Sequence, residues 1–439
     1  MIYDPTHETL PRPEMEQLQI ERLQITLNRV YRNVAHYRQA FDQARVDVER
    51  IKSVADMRHL PLTTKADLRQ AYPYGMFAVP LRDIVRLHAT SGTTGTPIVT
   101  GYTRNDVSHW ATLVARQLVA VGITEHDVVQ VAFGYGLFTG GLGFHYGAER
   151  IGASVIPASA SPHAREQLRI MKDYKATALL TMPSYALTMA EHLERLGLHP
   201  EQLALRVGIL GAEPWSEEVR QRLQERLHLR AYDTYGVAEI MGPGISGECL
   251  CQSGLHLNED HFIPEIIDPD SGEPLPPGET GELVLTTVAK EGFPLVRYRT
   301  GDLTHLLPGT CDCGRTLVRM ARVSGRTDDL IFLSGQKVFP SQVESVLQQV
   351  QGIEPDYRIV LEREGDAEVM RVQVAPSPEA GRFDEIRALE NLKAELSHRL
   401  SEDLQVPVRV TFVEASSVKR PGDGGGKKRY EVIDQRSGK

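Results

Sequence analysis

Four hydroxyl side chains and two glycines fall within six residues at Thr90-Ser91-Gly92-Thr93-Thr94-Gly95, followed by Thr96-Pro97. Glycines let the chain turn tightly and bring backbone N–H groups against an anion, and Ser and Thr hydroxyls add further donors. The composition suits phosphate oxygens. It also suits an ordinary turn between two strands of a hairpin, and residues 83–87 and 98–102 read as the flanking strands. No Gly-Lys-Ser/Thr follows, so the loop does not fit the Walker pattern.

The chain has four cysteines, and they come as pairs, Cys249-Leu250-Cys251 and Cys311-Asp312-Cys313. His256 lies shortly after the first pair. Thiolate and imidazole ligands suit tetrahedral zinc. Two sets fit: all the cysteines, or Cys249, His256, Cys311 and Cys313. The alternative is reduced, unmetallated thiols. A closed site of this kind leaves no position for chemistry, so its role is structural. A lone acidic residue such as Glu213 or Glu239 is by default solvated.

The elements that must hold these residues follow from periodicity. Between residues 14 and 42, Leu23, Leu27, Val30, Val34, Tyr37 and Phe41 have a helical spacing that buries one face. Residues 60–65 read as a turn starting another helix, with a packing role. From Asp127 the pattern alternates: strands near residues 128–133, 154–157, 178–181 and 206–210, and helices near 140–151, 162–174, 183–196 and 216–227. Alternation predicts crossover units and a largely parallel sheet. Ligands of such sheets collect beyond the carboxyl ends of the strands. Gly211-Ala212-Glu213-Pro214 and Asp233-Thr234-Tyr235-Gly236-Val237-Ala238-Glu239 fall there. Gly141-Leu142-Gly143 has the wrong spacing for a dinucleotide loop, and no ribose-binding carboxylate follows it. Aromatics cluster at Phe133, Tyr135 and Phe138; any single one could be core. A strand at 282–287 follows. Further on, a strand at 330–333, a helix opening at Pro340 with a Ser341–Glu344 capping box, strands at 357–363, 368–375 and 408–413 and a helix at 384–400 form a small α+β domain. Residues 419–429 are a glycine-rich basic tail, by default simply solvated.

Thr90 to Pro97 resembles the phosphate loop of the adenylate-forming acyl-CoA synthetase and luciferase superfamily. Ile98 stands where a lysine commonly follows the proline, which points to the phenylacetate–CoA ligase branch. Tyr235-Gly236-x-x-Glu239, Tyr298-Arg299-Thr300-Gly301-Asp302, Gly325-Arg326-Thr327-Asp328-Asp329 and Gly426-Lys427 are similar to further motifs of the superfamily, in the expected order. The resemblance covers roughly residues 15 to 434. It implies a fold of two domains: a large N-terminal adenylating α/β domain over residues 1–327, with mixed and parallel sheets and a helical start, and a small α+β C-terminal domain over 328–439, joined by a hinge at Asp328.

The resemblance also implies residue roles. Ser91, Gly92, Thr93, Thr94 and Gly95 would hold the phosphates of ATP, with Thr94 among the catalytic hydroxyls. Gly211, Ala212, Glu213, Pro214, Asp233, Thr234, Tyr235 and Gly236 would line the nucleotide, Asp302 would bind the ribose hydroxyls, and Arg326 would reach the nucleotide. Glu239 would help hold Mg²⁺; Ala238 replaces the usual threonine before it. Tyr135, Phe138, Ile240, Met241 and Gly242 would face an aryl ring. Lys427, with Lys428 as the alternative, would contact the carboxylate and α-phosphate. Because Cys249 follows Glu248 as the family's cysteine does, the zinc set with His256 is favoured over the one with Cys251.

The implied activity is ATP-dependent, AMP-forming ligation of a phenylacetate-like acid to coenzyme A through an acyl-adenylate. Two other readings keep many of the same motifs: an adenylating enzyme with an amine or carrier-protein thiol as acceptor, and a non-catalytic nucleotide-binding protein. Bulk properties fit. With 439 residues the chain exceeds one core, and 41% hydrophobic with 24% charged residues is an ordinary globular composition. A net charge of −9 argues against nucleic acid as a partner. No apolar run has membrane-spanning length, and Met1-Ile2-Tyr3-Asp4-Pro5 does not open a signal peptide. A cytoplasmic location is the expectation, and the resemblance is consistent with a homodimer.

Overall fold

The computed structural model describes residues 1–90, 96–159, 163–329, 331–333, 336–350, 352–364, 367–377, 386–418 and 430–436. The chain divides into two compact units, Met1–Glu213 with Arg222–Val323, and Pro214–Gln221 with Ser324–Lys439. No described helix is long and apolar enough to cross a membrane.

The first unit begins with helices Arg12–Asn33 and Ala35–Gln43. Between them Val34 is extended, at φ −113° and ψ 112°. The apolar spacing survives this break: Leu23, Leu27, Val30, Val34, Tyr37 and Phe41 all enter the same core. Each fully buried large apolar side chain contributes about 1.5–3 kcal/mol, so the stripe outweighs the interrupted helix.

A hairpin follows. Strands β1 (Arg86–Ala89) and β2 (Val99–Tyr102) pair antiparallel, Arg86 opposite Tyr102 and Ala89 opposite Val99. The first strand starts later than residue 83, because Leu81–Asp83 form a 3₁₀ turn after Pro80. Its far end is closed by Thr90 N donating to Ile98 O at 3.0 Å and Ile98 N donating to Thr90 Oγ1 at 3.0 Å.

The main sheet is built from β3 (Val128–Val131), β4 (Ser154–Ile156), β5 (Ala178–Thr181), β6 (Val207–Gly211), β7 (Arg230–Val237), β8 (Gly242–Gly247) and β9 (Leu255–Leu257). Strands β10 (Phe262–Ile267), β11 (Gly281–Thr287) and β12 (Tyr298–Thr304) form a second, antiparallel set. The short β13 (Leu306–Leu307) and β14 (Arg319–Met320) return to the main sheet. Its order is β13-β14-β9-β8-β7-β6-β5-β3-β4. Neighbours from β7 through β4 are parallel, and those from β7 to β13 antiparallel. Helices Gly140–Arg150, Ala164–Asp173, Pro183–Arg195 and Glu217–Leu227 make the expected crossovers. Every residue of β5 and β6 is buried, as a sheet covered on both faces requires.

The second unit holds a four-stranded sheet in the order Val408–Phe412, Ala367–Pro376, Ile353–Glu364, Tyr430–Asp434. The last strand, which sequence reading did not anticipate, runs parallel to its neighbour. Helices Pro340–Gln348 and Ile386–Leu404 contribute Val343, Leu347, Leu396 and Leu400 to its core. The expected Ser341–Glu344 capping box does not form. Pro340 takes the first helical position, so Phe339 is the cap and its N–H donates to Gln342 Oε1 at 2.9 Å. Ser341 Oγ instead donates to Ser324 O at 2.9 Å.

Candidate active site and cysteine–histidine cluster

Strands β6 and β7 carry the first set of candidates, and glycines let β6 close on β7 and β7 on β8. A Cβ at Gly211 would lie 2.2 Å from Thr234 O, and one at Gly236 2.2 Å from Gly242 O. Ala212, just past the end of β6, has φ 70°, a left-handed conformation uncommon for a side-chain-bearing residue. From β7, Tyr235 Oη donates to Asp302 Oδ2 at 2.6 Å. Asp302 stands on β12, where its N–H donates to Thr300 Oγ1 at 3.1 Å and Gly301 N donates to Glu282 Oε1 at 3.0 Å. Glu282 also pairs with Arg299. The Tyr298–Asp302 run is thus folded around its own polar side chains to present one carboxylate.

Glu239 follows β7, buried except for 7% of its surface, with Oε1 3.7 Å from Lys65 Nζ. Residues 60–65 therefore do more than pack. Thr63 Oγ1 donates to Val296 O at 2.6 Å, Asp67 caps the helix Lys65–Gln70 by accepting from Thr64 N at 2.7 Å, and Lys65 is delivered to Glu239. No periodicity or motif marked this lysine.

The other nucleotide candidates take varied positions. Glu213 Oε1 accepts from Ser184 N at 2.6 Å, at the start of the helix Pro183–Arg195. Asp233 Oδ2 lies 3.4 Å from Arg322 Nε. Thr234 Oγ1 donates to Gln117 Oε1 at 3.2 Å. Pro214 and Arg326 fall in the second unit, as does Asp328, in the turn Thr327–Asp329. Ser91, Gly92, Thr93, Thr94, Gly95, Lys427 and Lys428 lie outside the described residues.

Beside these strand ends is a small cavity whose lining includes Phe133, Phe138, Thr139, Phe144, Ala212 and Gly242. Phe138 is 40% exposed. Gly242, at φ 96°, leaves room that a Cβ would take from Thr139. Tyr135 turns elsewhere, its hydroxyl 3.2 Å from His145 Nδ1. Ile240 and Met241 are buried in the core behind the cavity.

A second constellation forms where β8, β9 and the turn before β14 meet. Cys249 follows β8, His256 sits on β9 opposite Arg319 of β14, and Cys311 and Cys313 occupy the turn closed by Gly314 N donating to Cys311 O at 3.1 Å. One ligand atom from each of Cys249, His256, Cys311 and Cys313 lies within 4.8 Å of all the others. Cys249 Sγ and Cys311 Sγ are 3.7 Å apart, and Cys313 Sγ is 3.4 Å from His256 Nε2. Cys251 is exposed. Burial pushes the Cys249 thiol up, and the neighbouring Cys313 and Cys311 add to it. Burial, then the charge of Arg315, pushes His256 down to about 4, which keeps the imidazole neutral and free to ligate.

Residues 18–289 match the AMP-binding enzyme family, and residues 335–436 match the AMP-binding enzyme C-terminal domain. That fold and those strand-end residues define the class: an adenylate-forming enzyme. Phenylacetate-coenzyme A ligase of Aromatoleum evansii is 44% identical over 98% of this chain and 96% of its own length. The same enzyme of Thermus thermophilus is 43% identical over 99% and 100%. A crystal structure of 2-hydroxyisobutyryl-CoA ligase in the post-adenylation state with 2-HIB-AMP superposes with a TM-score of 0.89 at 29% identity, covering 98% of this chain and 92% of that one. The chain belongs to the phenylacetate–CoA ligase family of AMP-forming acid–CoA ligases.

Proposed function

We propose that this chain activates a phenylacetate-like aromatic acid with ATP and transfers it to coenzyme A. The observation that carries the reading is the Tyr235–Asp302 pair at 2.6 Å, set with Glu239 beside a cavity that Phe133, Phe138 and Phe144 help to line. In the first half-reaction a carboxylate oxygen of the acid bonds to the α-phosphorus of ATP and the bond to the β-phosphate oxygen breaks, releasing pyrophosphate. Asp302 accepts hydrogen bonds from ribose hydroxyls. Lys427 and the hydroxyls around Thr94 balance the charge that develops. In the second, the CoA sulfur bonds to the acyl carbon, AMP leaves with its electron pair, and the thiol proton passes to solvent. The second unit turns about Asp328 between the two.

Glu239, a nearly buried carboxylate with Lys65 Nζ at 3.7 Å, is the kind of hard oxygen ligand that magnesium takes. Bound there, Mg²⁺ would neutralise phosphate charge. The cluster fits zinc. Sulfurs at the corners of a zinc tetrahedron with bonds of about 2.3 Å stand about 3.75 Å apart, and Cys249 and Cys311 are at 3.7 Å. A bound cation would also favour the thiolate of Cys249, which burial and then the neighbouring thiols disfavour. A cytoplasmic homodimer is part of the same reading, and light scattering on the purified protein checks the assembly. The deciding experiment is a panel of carboxylic acids assayed for pyrophosphate release, with CoA, simple amines or a carrier-protein thiol as acceptor. Aromatic acids should release pyrophosphate, and only CoA should consume the acyl-adenylate at a comparable rate. Faster transfer to an amine would overturn the assignment of acceptor.

A further inference from the structure

Behind the cavity wall, buried side chains donate hydrogen bonds to the carbonyls of residues 240, 241 and 243. Lys290 Nζ donates to Ile240 O, Tyr102 Oη to Met241 O at 3.2 Å, and Trp110 Nε1 to Pro243 O at 2.7 Å. Lys290 is 2% exposed, Trp110 1% and Tyr102 not at all. The donors also support one another. The rings of Tyr102 and Trp110 stack at 5.1 Å, and the Lys290 ammonium lies 4.4 Å from the centre of the Tyr102 ring. Asp106, fully buried, fixes the backbone beside the lysine by accepting from Glu291 N at 2.7 Å and Gly292 N at 2.9 Å. The chain of contacts ends one residue from Glu239.

We propose that Lys290, supported by Tyr102 and Trp110, is a positioning residue for adenylation: by holding the Ile240 carbonyl it fixes the direction of the Glu239 carboxylate. The inference rests on the reading of Glu239 as the magnesium carboxylate. An apolar side chain of the same length would fill the space without desolvating an ammonium, so a lysine here is costly unless its donor is needed. The cost is visible: burial pushes Lys290 down to about 7, against the raising influence of Asp106 and Glu239. Besides the Ile240 carbonyl, its ammonium lies against the faces of Tyr102 and Phe293 and feels the charge of both carboxylates. Rigid support behind a ligand of this kind is what keeps a transition-state contact in register.

The test measures each half-reaction separately for wild type, Lys290→Met, Lys290→Gln and Glu239→Gln, with melting temperatures alongside. Lys290→Met should lower the adenylation rate about 30-fold and raise the Mg²⁺ needed for half-maximal rate at least about threefold, with thioester formation from supplied acyl-adenylate changed less than about threefold. Lys290→Gln, which keeps an N–H donor, should recover most of the adenylation rate. Should Lys290→Met fail to fold, Tyr102→Phe removes only the donor to Met241 and should show the same split at about fivefold. Half-reactions that fall together, or a Lys290→Met enzyme equal to wild type, overturn the proposal. Glu239→Gln separates the two ideas: if it adenylates normally the magnesium reading fails and takes the positioning role with it. If Glu239→Gln is dead while Lys290→Met is unimpaired, only the positioning role falls.

Discussion

The first unit contains two constellations of reactive side chains, and they differ in how far they are closed on themselves. In the cysteine–histidine cluster every ligand atom faces the others within 4.8 Å, and Cys249, His256 and Cys311 are buried. At the strand ends, Glu239 lies 3.7 Å from a half-exposed lysine and Asp302 accepts from Tyr235, while the glycines of β6, β7 and β8 keep side chains out of the space between. The first arrangement is closed on itself. The second borders a cavity whose lining includes Gly236 and Gly242. Substitutions in the open site should therefore change catalysis or ligand binding and spare stability, whereas substitutions in the closed cluster should lower stability and both half-reactions in proportion.

The largest expected effect tests the open side. Lys427→Ala should slow acyl-adenylate formation by about a thousandfold or more, leave the melting temperature unchanged, and spare thioester formation from supplied acyl-adenylate. If Lys428→Ala shows this behaviour and Lys427→Ala does not, the catalytic lysine is the neighbouring one.

Next is acid selectivity. An apolar cavity gains about 25 cal/mol per Å² of ring surface buried, and a second carboxylate on the substrate would find no cation among Phe133, Phe138, Thr139, Phe144, Ala212 and Gly242. Phenylacetate-like acids should exceed acetate or succinate by about two powers of ten in kcat/KM, about 3 kcal/mol. Phe138→Ala should erode the preference through the aromatic acid alone. Better activity with short aliphatic or dicarboxylic acids would place the acid elsewhere.

The closed side predicts about one zinc per chain in protein purified without added metal. Cys311→Ser, or a strong chelator, should lower stability by about 2 kcal/mol, a few degrees in melting temperature. Both half-reactions should decline together. Unchanged melting in zinc-free protein would end the structural role and with it the contrast.

Legibility in the sequence follows the same division. Cysteines are so sparse here that two close pairs stand out, and the structure gathers Cys249, Cys311, Cys313 and His256 while leaving Cys251 exposed. The crossover strands were readable because their apolar runs alternate with helical ones. Strand β8 was not, since Gly242, Pro243, Gly244 and Gly247 read locally as a turn. Its conformation is imposed by pairing with β7 and β9 and by the Trp110 donor at Pro243. Lys65 and Lys290 carry no sequence signal at all. A lone lysine defaults to the surface, and only tertiary packing brings one of them to Glu239 and the other to Ile240. The strand Tyr430–Asp434 was missed for a related reason, because its partner Ile353–Glu364 lies far away in the chain.

The smallest expected effect is the most discriminating. Tyr235→Phe removes one hydroxyl and keeps the ring, so the ring's packing is preserved while Asp302 Oδ2 loses the donor at 2.6 Å. A hydrogen bond to a charged acceptor contributes about 1.5–3 kcal/mol, and solvent or a ribose hydroxyl can restore part of it in a site that opens to ligand. The net should be near the bottom of that range, a rise of about tenfold in KM for ATP, about 1.4 kcal/mol, with the maximal rate and the melting temperature little changed. Thioester formation from supplied acyl-adenylate should respond through the same adenosine contact, as weaker binding and not as slower chemistry. If Tyr235→Phe instead lowers the melting temperature as far as Cys311→Ser does and leaves KM for ATP where it was, the Tyr235–Asp302 pair is a structural contact like the cysteine cluster, and other residues hold the nucleotide.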